Sequence, residues 1–284
     1  MEIVVGKTAG FCYGVQNAVS KTEELLKDNK TISCLGELVH NGEVIKKLEK
    51  MGLNVIENIE NADDKVIIRA HGIPKEIYNK AQNLNIEIFD YTCPNVLKIH
   101  KIAEEYEKNG YFIFLIGKKE HPEIIGTISF CGSNSYILEK ADDIPEAMEK
   151  FNKSNINKLL IIAQTTFSLN NFEIIVETIK NEVASDVELE IKNTICNATK
   201  IRQEETNKIS KEVECMIIIG GKNSSNTKKL YDIAKNNCPN SFIVENKDEL
   251  PFYKIKSFEK IGIMAGASTP GESIKDIIEI LIAT

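Results

Sequence analysis

The chain is poor in arginine. Of its 35 basic residues only Arg69 and Arg202 are arginines, which excludes a site built from several bidentate guanidinium clamps. It has no tryptophan and only four histidines. No run reaches the roughly 18 uncharged apolar residues of a membrane span. The N-terminus, Met-Glu-Ile-Val-Val-Gly-Lys, lacks the shape of a secretion signal. Positive charge is short overall: the net charge of -7 argues against a nucleic-acid-binding surface. These absences predict a cytosolic protein without membrane or nucleic-acid partners. In a reducing compartment its odd count of seven cysteines reads as metal ligands or reduced thiols, not disulfides. With 284 residues, 42% of them hydrophobic, the chain can bury a sizeable core in two or three small domains or one large one.

What is present is a threefold repeat. Cys12, Cys93 and Cys196 each follow a short apolar run, Ile3–Val5, Ile86–Phe89 and Val187–Ile191. Each precedes a helical pattern, predicted over Val15–Lys27, Val96–Asn109 and Ala198–Val213. A glycine closes the next apolar run 24 residues after each cysteine, at Gly36, Gly117 and Gly220. Four residues further on stand His40, His121 and Ser224. A last apolar run ends each repeat: Lys65–Ala70, Lys158–Ala163, Lys260–Ala265. Beyond it lie His71, Thr165 and Ser268. Strands alternating with helices of about a dozen residues predict βαβ units and parallel sheets. The expected fold is three pseudo-symmetric α/β domains, each with a small, mostly parallel sheet, around a central iron–sulfur cluster. Their expected bounds are residues 14–94, 95–195 and 196–284, the last completed by the N-terminal strand within 1–13. In such sheets ligands bind at the carboxyl ends of strands, where all these residues fall.

Three thiolates at equivalent positions form a trigonal ligand set. Structural zinc wants a fourth protein ligand, whereas three cysteines on a [4Fe–4S] cluster leave one iron open to act as a Lewis acid. Cys34, Cys131, Cys215 and Cys238 share no register and read as small hydrophobes. Histidines at repeat positions point to a shared site, and His100, outside that register, reads as a solvated helix-face residue. Gly220-Gly-Lys-Asn-Ser-Ser-Asn-Thr227 and Gly266-Ala-Ser-Thr-Pro-Gly271 offer close backbone approach, short donors and helix N-termini suited to phosphate, or plain helix caps. Glu123, in His-Pro-Glu, is a candidate proton donor, with Thr165 to position or relay.

With these residues assembled, the chain resembles the 4-hydroxy-3-methylbut-2-enyl diphosphate reductases. The matching motifs run from Gly10-Phe-Cys-Tyr-Gly-Val15 to Ala267-Ser-Thr-Pro270. Between them lie Val39-His-Asn41, Arg69-Ala-His-Gly72, Thr92-Cys-Pro94, His121-Pro-Glu123, Gln164-Thr-Thr166, Cys196-Asn-Ala-Thr199 and Ser224-Ser-Asn226. The resemblance implies one [4Fe–4S] cluster on Cys12, Cys93 and Cys196. It implies a substrate diphosphate on His40, His71, His121, Ser224, Ser225, Asn226 and Ser268. Glu123 would be the proton source beside Thr165, with Asn41, Gln164 and Thr166 in support. Isopentenyl and dimethylallyl diphosphates would be the products, and a ferredoxin or flavodoxin the electron donor. Many relatives carry glycine where this chain has Glu120. The rival readings are another three-cysteine cluster enzyme such as quinolinate synthase, a non-catalytic iron–sulfur redox sensor and a structural zinc protein.

Overall fold

Runs such as Phe-Ile-Phe-Leu-Ile (112–116) and Cys-Met-Ile-Ile-Ile (215–219) are apolar at every position. They suit strands covered on both faces, as parallel sheets require. The computed structural model describes residues 1–283 and folds these runs in that way. Its strands are β1 (Glu2–Val5), β2 (Ile32–Leu35), β3 (Leu53–Ile56), β4 (Lys65–Ile68), β5 (Glu87–Asp90), β6 (Phe112–Ile116), β7 (Ser135–Leu138), β8 (Lys158–Ala163), β9 (Glu188–Ile191), β10 (Cys215–Ile219), β11 (Ser241–Val244) and β12 (Lys260–Ala265). Its helices are α1 (Tyr13–Asp28), α2 (Gly42–Lys50), α3 (Lys75–Asn83), α4 (Pro94–Lys108), α5 (Pro122–Ile128), α6 (Ile144–Lys153), α7 (Leu169–Glu182), α8 (Asn197–Ile209), α9 (Ser225–Asn237), α10 (Phe252–Ile255) and α11 (Gly271–Ile282).

Three parallel four-stranded sheets result, ordered β3-β2-β4-β5, β7-β6-β8-β9 and β11-β10-β12-β1. Each has the same winding: the first strand of the repeat lies between the second and the third, and a fourth follows the third. In the last sheet that fourth place is taken by β1, with Glu2 opposite Lys260 and Val5 opposite Ile263. The winding reverses direction between β2 and β4, β6 and β8, and β10 and β12. Such switch points open a crevice at the strand carboxyl ends.

The chain divides into two compact units. The first comprises Met1–Ser20, Val39–Met51 and the chain from Asn197 onward; the second comprises Lys21–Leu38 and Gly52–Cys196. The β1-containing sheet belongs to the first unit, the other two sheets to the second. Within the second unit, alternate residues of β6 face opposite cores. Phe112, Phe114 and Ile116 pack with Leu159, Ile161 and the α6 stripe Ile144, Ala147, Met148 and Phe151. Ile113 and Leu115 pack with Leu160, Ile162, Ile99 and Ala103. In the first unit, Cys215, Ile217 and Ile219 meet Ile277 and Leu281 of α11, while Met216 and Ile218 meet Leu230 and Ala234 of α9. Each fully buried side chain of this size contributes about 1.5–3 kcal/mol, so the strands are rigid platforms for the loops at their ends. Helix α8 stops at Ile209, four residues short of the expected Val213. Val213 still packs on the Met216 core, but from the turn beyond the helix.

Candidate active site

The three repeat-register cysteines share one backbone anchor. The N–H of Cys12 donates to the carbonyl of Ala267, that of Cys93 to Ala70 and that of Cys196 to Thr165, each at 3.0 Å. Every one of these acceptors lies two residues beyond its strand: β12, β4 and β8. Each cysteine immediately precedes a helix, α1, α4 or α8. All three are partly exposed, whereas Cys34, Cys131, Cys215 and Cys238 are buried. Burial pushes the thiols of Cys34, Cys131 and Cys215 up to about 12, which leaves them as core residues. No disulfide joins cysteines among the described residues.

In the second unit, Pro122 sets the first turn of α5, and His121 caps it by accepting the Glu123 N–H on Nδ1 at 3.1 Å. A neutral ring with Nδ1 so engaged carries its proton on Nε2, the donor available to an anion. Its ring lies edge-on to that of His71, centroids 5.4 Å apart. The same turn buries Glu123 to 1% exposure. Glu123 Oε1 accepts the Thr165 N–H and Oε2 the Thr165 hydroxyl, both at 2.6 Å. Burial raises this carboxyl to about 7, although the two bonds from Thr165 pull the other way. Gln164 ties the neighbouring loops together: its Oε1 accepts the Lys118 N–H at 3.1 Å and its Nε2 donates to Thr166 at 2.9 Å. Glu120 is exposed and has no positive φ, so the loop needs no glycine there.

His100 is not the solvated residue expected. It is 4% exposed, stacked on Phe130 with centroids 4.3 Å apart, and burial lowers its pKa to about 4. It lies under the His71–Gly72 turn: a Cβ on Gly72 (φ +75°) would sit 2.9 Å from its Cε1. The signal was present in the sequence, since Val96, Ile99 and Ala103 form a helical apolar stripe into which position 100 falls.

In the first unit, Asn41 caps α2 by accepting the N–H groups of Glu43 and Val44, both at 3.1 Å. Ser224 caps α9 through the Thr227 N–H at 3.3 Å. Asn226, in the first turn of α9, is 3% exposed, and neither Oδ1 nor Nδ2 has a partner. Each such buried, unmatched group costs about 1–3 kcal/mol, which makes Asn226 a candidate ligand position. Ser225 is half-buried beside it. Ser268 donates to the His40 carbonyl at 3.0 Å, and Gly221 approaches that carbonyl so closely that a Cβ would lie 2.7 Å away. His40, Ser224, Asn226 and Ser268 are thus held by one unit with two helix N-termini, an arrangement suited to anions.

A family model described as LytB protein matches residues 3–282. The chain belongs to the LytB family. Among relatives, the 4-hydroxy-3-methylbut-2-enyl diphosphate reductase of Caldanaerobacter subterraneus subsp. tengcongensis is 42% identical over 98% of this chain and 96% of its own. That of Clostridioides difficile is 38% identical over 99% of both. A solved structure of (E)-4-hydroxy-3-methyl-but-2-enyl diphosphate reductase, titled the terminal enzyme of the non-mevalonate pathway, is 36% identical with a TM-score of 0.72, and each chain is wholly covered. The Plasmodium falciparum E-1-hydroxy-2-methyl-but-2-enyl-4-diphosphate reductase is 32% identical with a TM-score of 0.89, covering 99% of this chain and 87% of that one. Family membership implies an iron–sulfur cofactor. The cysteine set fits it: three accessible soft donors, each at a helix N-terminus and each fixed by the same backbone bond. Among the described residues no helix is long and apolar enough to cross a membrane.

Proposed function

We propose that this protein removes the hydroxyl of 4-hydroxy-3-methylbut-2-enyl diphosphate, using two electrons and two protons to release water and give isopentenyl and dimethylallyl diphosphates. Cys12, Cys93 and Cys196 hold a [4Fe–4S] cluster in this reading, and a ferredoxin or flavodoxin delivers the electrons. When bound, such a cluster supplies single electrons and a Lewis-acidic iron. The diphosphate-binding residues in this reading are His40, His71, His121, Ser224, Ser225, Asn226 and Ser268. Lysine-rich surfaces contribute nothing of this shape; histidine Nε2–H, hydroxyls, an amide and helix N-termini do.

The observation that carries the reading is the buried Glu123–Thr165 pair. A carboxyl near 7 is a proton donor matched to neutral conditions. When Glu123 is protonated, its Oε2 donates to Thr165 Oγ1, and that hydroxyl passes its own proton to the leaving oxygen. The Thr165 N–H on Oε1 keeps the second oxygen an acceptor, so the proton stays on the side facing Thr165. The relay needs no arginine and no exposed acid.

Anaerobic purification, iron and sulfide assay, and turnover of the diphosphate with reduced viologen test the proposal. About four irons per chain with turnover is the expected result. Iron without turnover overturns the substrate assignment, and no iron under strict anaerobiosis overturns the cofactor.

A further inference from the structure

We propose that Arg202 and Glu205 of α8 are positioning residues that clamp the loop carrying Cys12 and so fix the direction of its thiolate. This rests on the reading of Cys12 as a cluster ligand. The two side chains stand three residues apart on one face of the helix. Arg202, 3% exposed, donates from Nε to the Thr8 carbonyl and from Nη2 to the Gly10 carbonyl, both at 3.0 Å. Its Nη1 reaches the Ala198 carbonyl of its own helix at 3.5 Å. Glu205 takes the opposite polarity of the same loop. Oε1 accepts the Lys7 N–H at 2.7 Å. Oε2 accepts the Thr8 N–H at 2.9 Å and the Thr8 hydroxyl at 2.5 Å.

Between Gly6 and Cys12 the backbone forms neither helix nor strand, so these side chains do the work of a ladder partner. The loop has little slack elsewhere. Gly10 sits at φ +107° with Ile274 and the Thr269 carbonyl beneath it, and Cys12 is tied to Ala267. The Nε and Nη2 edge of a guanidinium offers two parallel donors at fixed spacing, which a lysine ammonium cannot reproduce. That explains one of the two arginines in a chain that otherwise uses lysine. The guanidinium also has a carboxylate beside it: against the effect of burial, hydrogen bonds from the Thr8 hydroxyl and the Thr8 and Lys7 N–H groups hold the Glu205 carboxyl below its ordinary value, and the Arg202 charge adds to them. A buried cation is tolerated when it is paired and fully hydrogen-bonded.

The test compares the parent with Arg202→Lys and Glu205→Gln, with the exposed Glu204→Gln as a surface control. Each is loaded anaerobically with iron and sulfide. The readouts are the rate of iron loss to a chelator and the electron paramagnetic resonance spectrum of the reduced cluster. Partners behind metal ligands typically change affinity about 10- to 100-fold, so Arg202→Lys should lose iron at least about tenfold faster, with an altered spectrum, and Glu205→Gln several-fold faster. In a Cys12→Ser background Arg202→Lys should add nothing, because the clamp acts through that ligand. Should Arg202→Lys fail to fold, Glu205→Gln carries the same comparison. Loaded variants with the parent's rate and spectrum overturn the clamp while leaving the ligand reading intact, and so does a full additive effect in Cys12→Ser. A parent that binds no iron overturns the ligand reading itself.

Discussion

In the proposed reaction single residues decide the chemistry, Glu123 most of all. Its carboxyl has an ordinary value of 4.5 in the unfolded chain and about 7 in the folded one. In the proposed relay the protonated form is the donor, so kcat/KM should fall as pH rises through about 7, and Glu123→Gln should abolish turnover while keeping the iron. A pH–rate profile of parent and variant checks both. The same shift has a sign for stability. Below about pH 4.5 both states are protonated, and nothing is lost. As pH rises from there through about 7 the unfolded chain gives up its proton first, and the folded state loses its relative advantage. Urea unfolding of the metal-free protein at about pH 5 and about pH 8 should therefore show a larger drop for the parent than for Glu123→Gln. The placement of most candidate residues at strand ends was legible in sequence because the repeat register marked those ends. The depth of Glu123 and the placement of His100 were not, since both depend on which helix face a neighbouring element covers. Gly72→Ala gathers these local constraints: a Cβ at φ +75° and 2.9 Å from His100 Cε1 should cost at least about 1–2 kcal/mol, measured by denaturant unfolding, and should weaken substrate affinity through His71.

At the scale of elements, the continuous apolar runs and the helical stripes gave the sheets and helices away, since a strand buried on both faces has no polar alternative. Phe114, fully buried between β6's neighbours and Phe151, is the sharpest test of that layering. Phe114→Ala should cost about 3–5 kcal/mol in chemical unfolding. The C-terminal end of α8 was misjudged because Val213 continues the apolar spacing although the chain has already turned. Caps are equally specific. Asn41→Ala removes the acceptor for two N–H groups of α2 and should cost about 1 kcal/mol, visible as faster hydrogen exchange at Glu43 and Val44.

At the scale of the whole molecule, three sheets of one winding give three equivalent crevices, and the chain furnishes each with different polar groups. Register alone exposed this, because identical spacing from cysteine to glycine survives even where the sequences between them differ. The sequence could not show how the loops are tied, since the Ser268–His40 and Arg202–Thr8 bonds join residues nearly 200 or more positions apart. Loading with iron and sulfide should raise the melting temperature, as any ligand bound only by the folded state must; calorimetry of loaded and metal-free protein checks it.

The pairing of β1 with β12 has a consequence for biogenesis. Glu2–Val5 leaves the ribosome long before Lys260–Ala265, so β1 waits for its partner strand on the order of tens of seconds at usual elongation rates. The loop after it waits as well, because its anchors on Ala267, Arg202 and Glu205 are also late. Cys12 is therefore the first of the three repeat-register cysteines to be synthesised and the last to be set in place, and, in the proposed ligand reading, metal delivered to the nascent chain meets an unfinished ligand set until Ala267 has emerged.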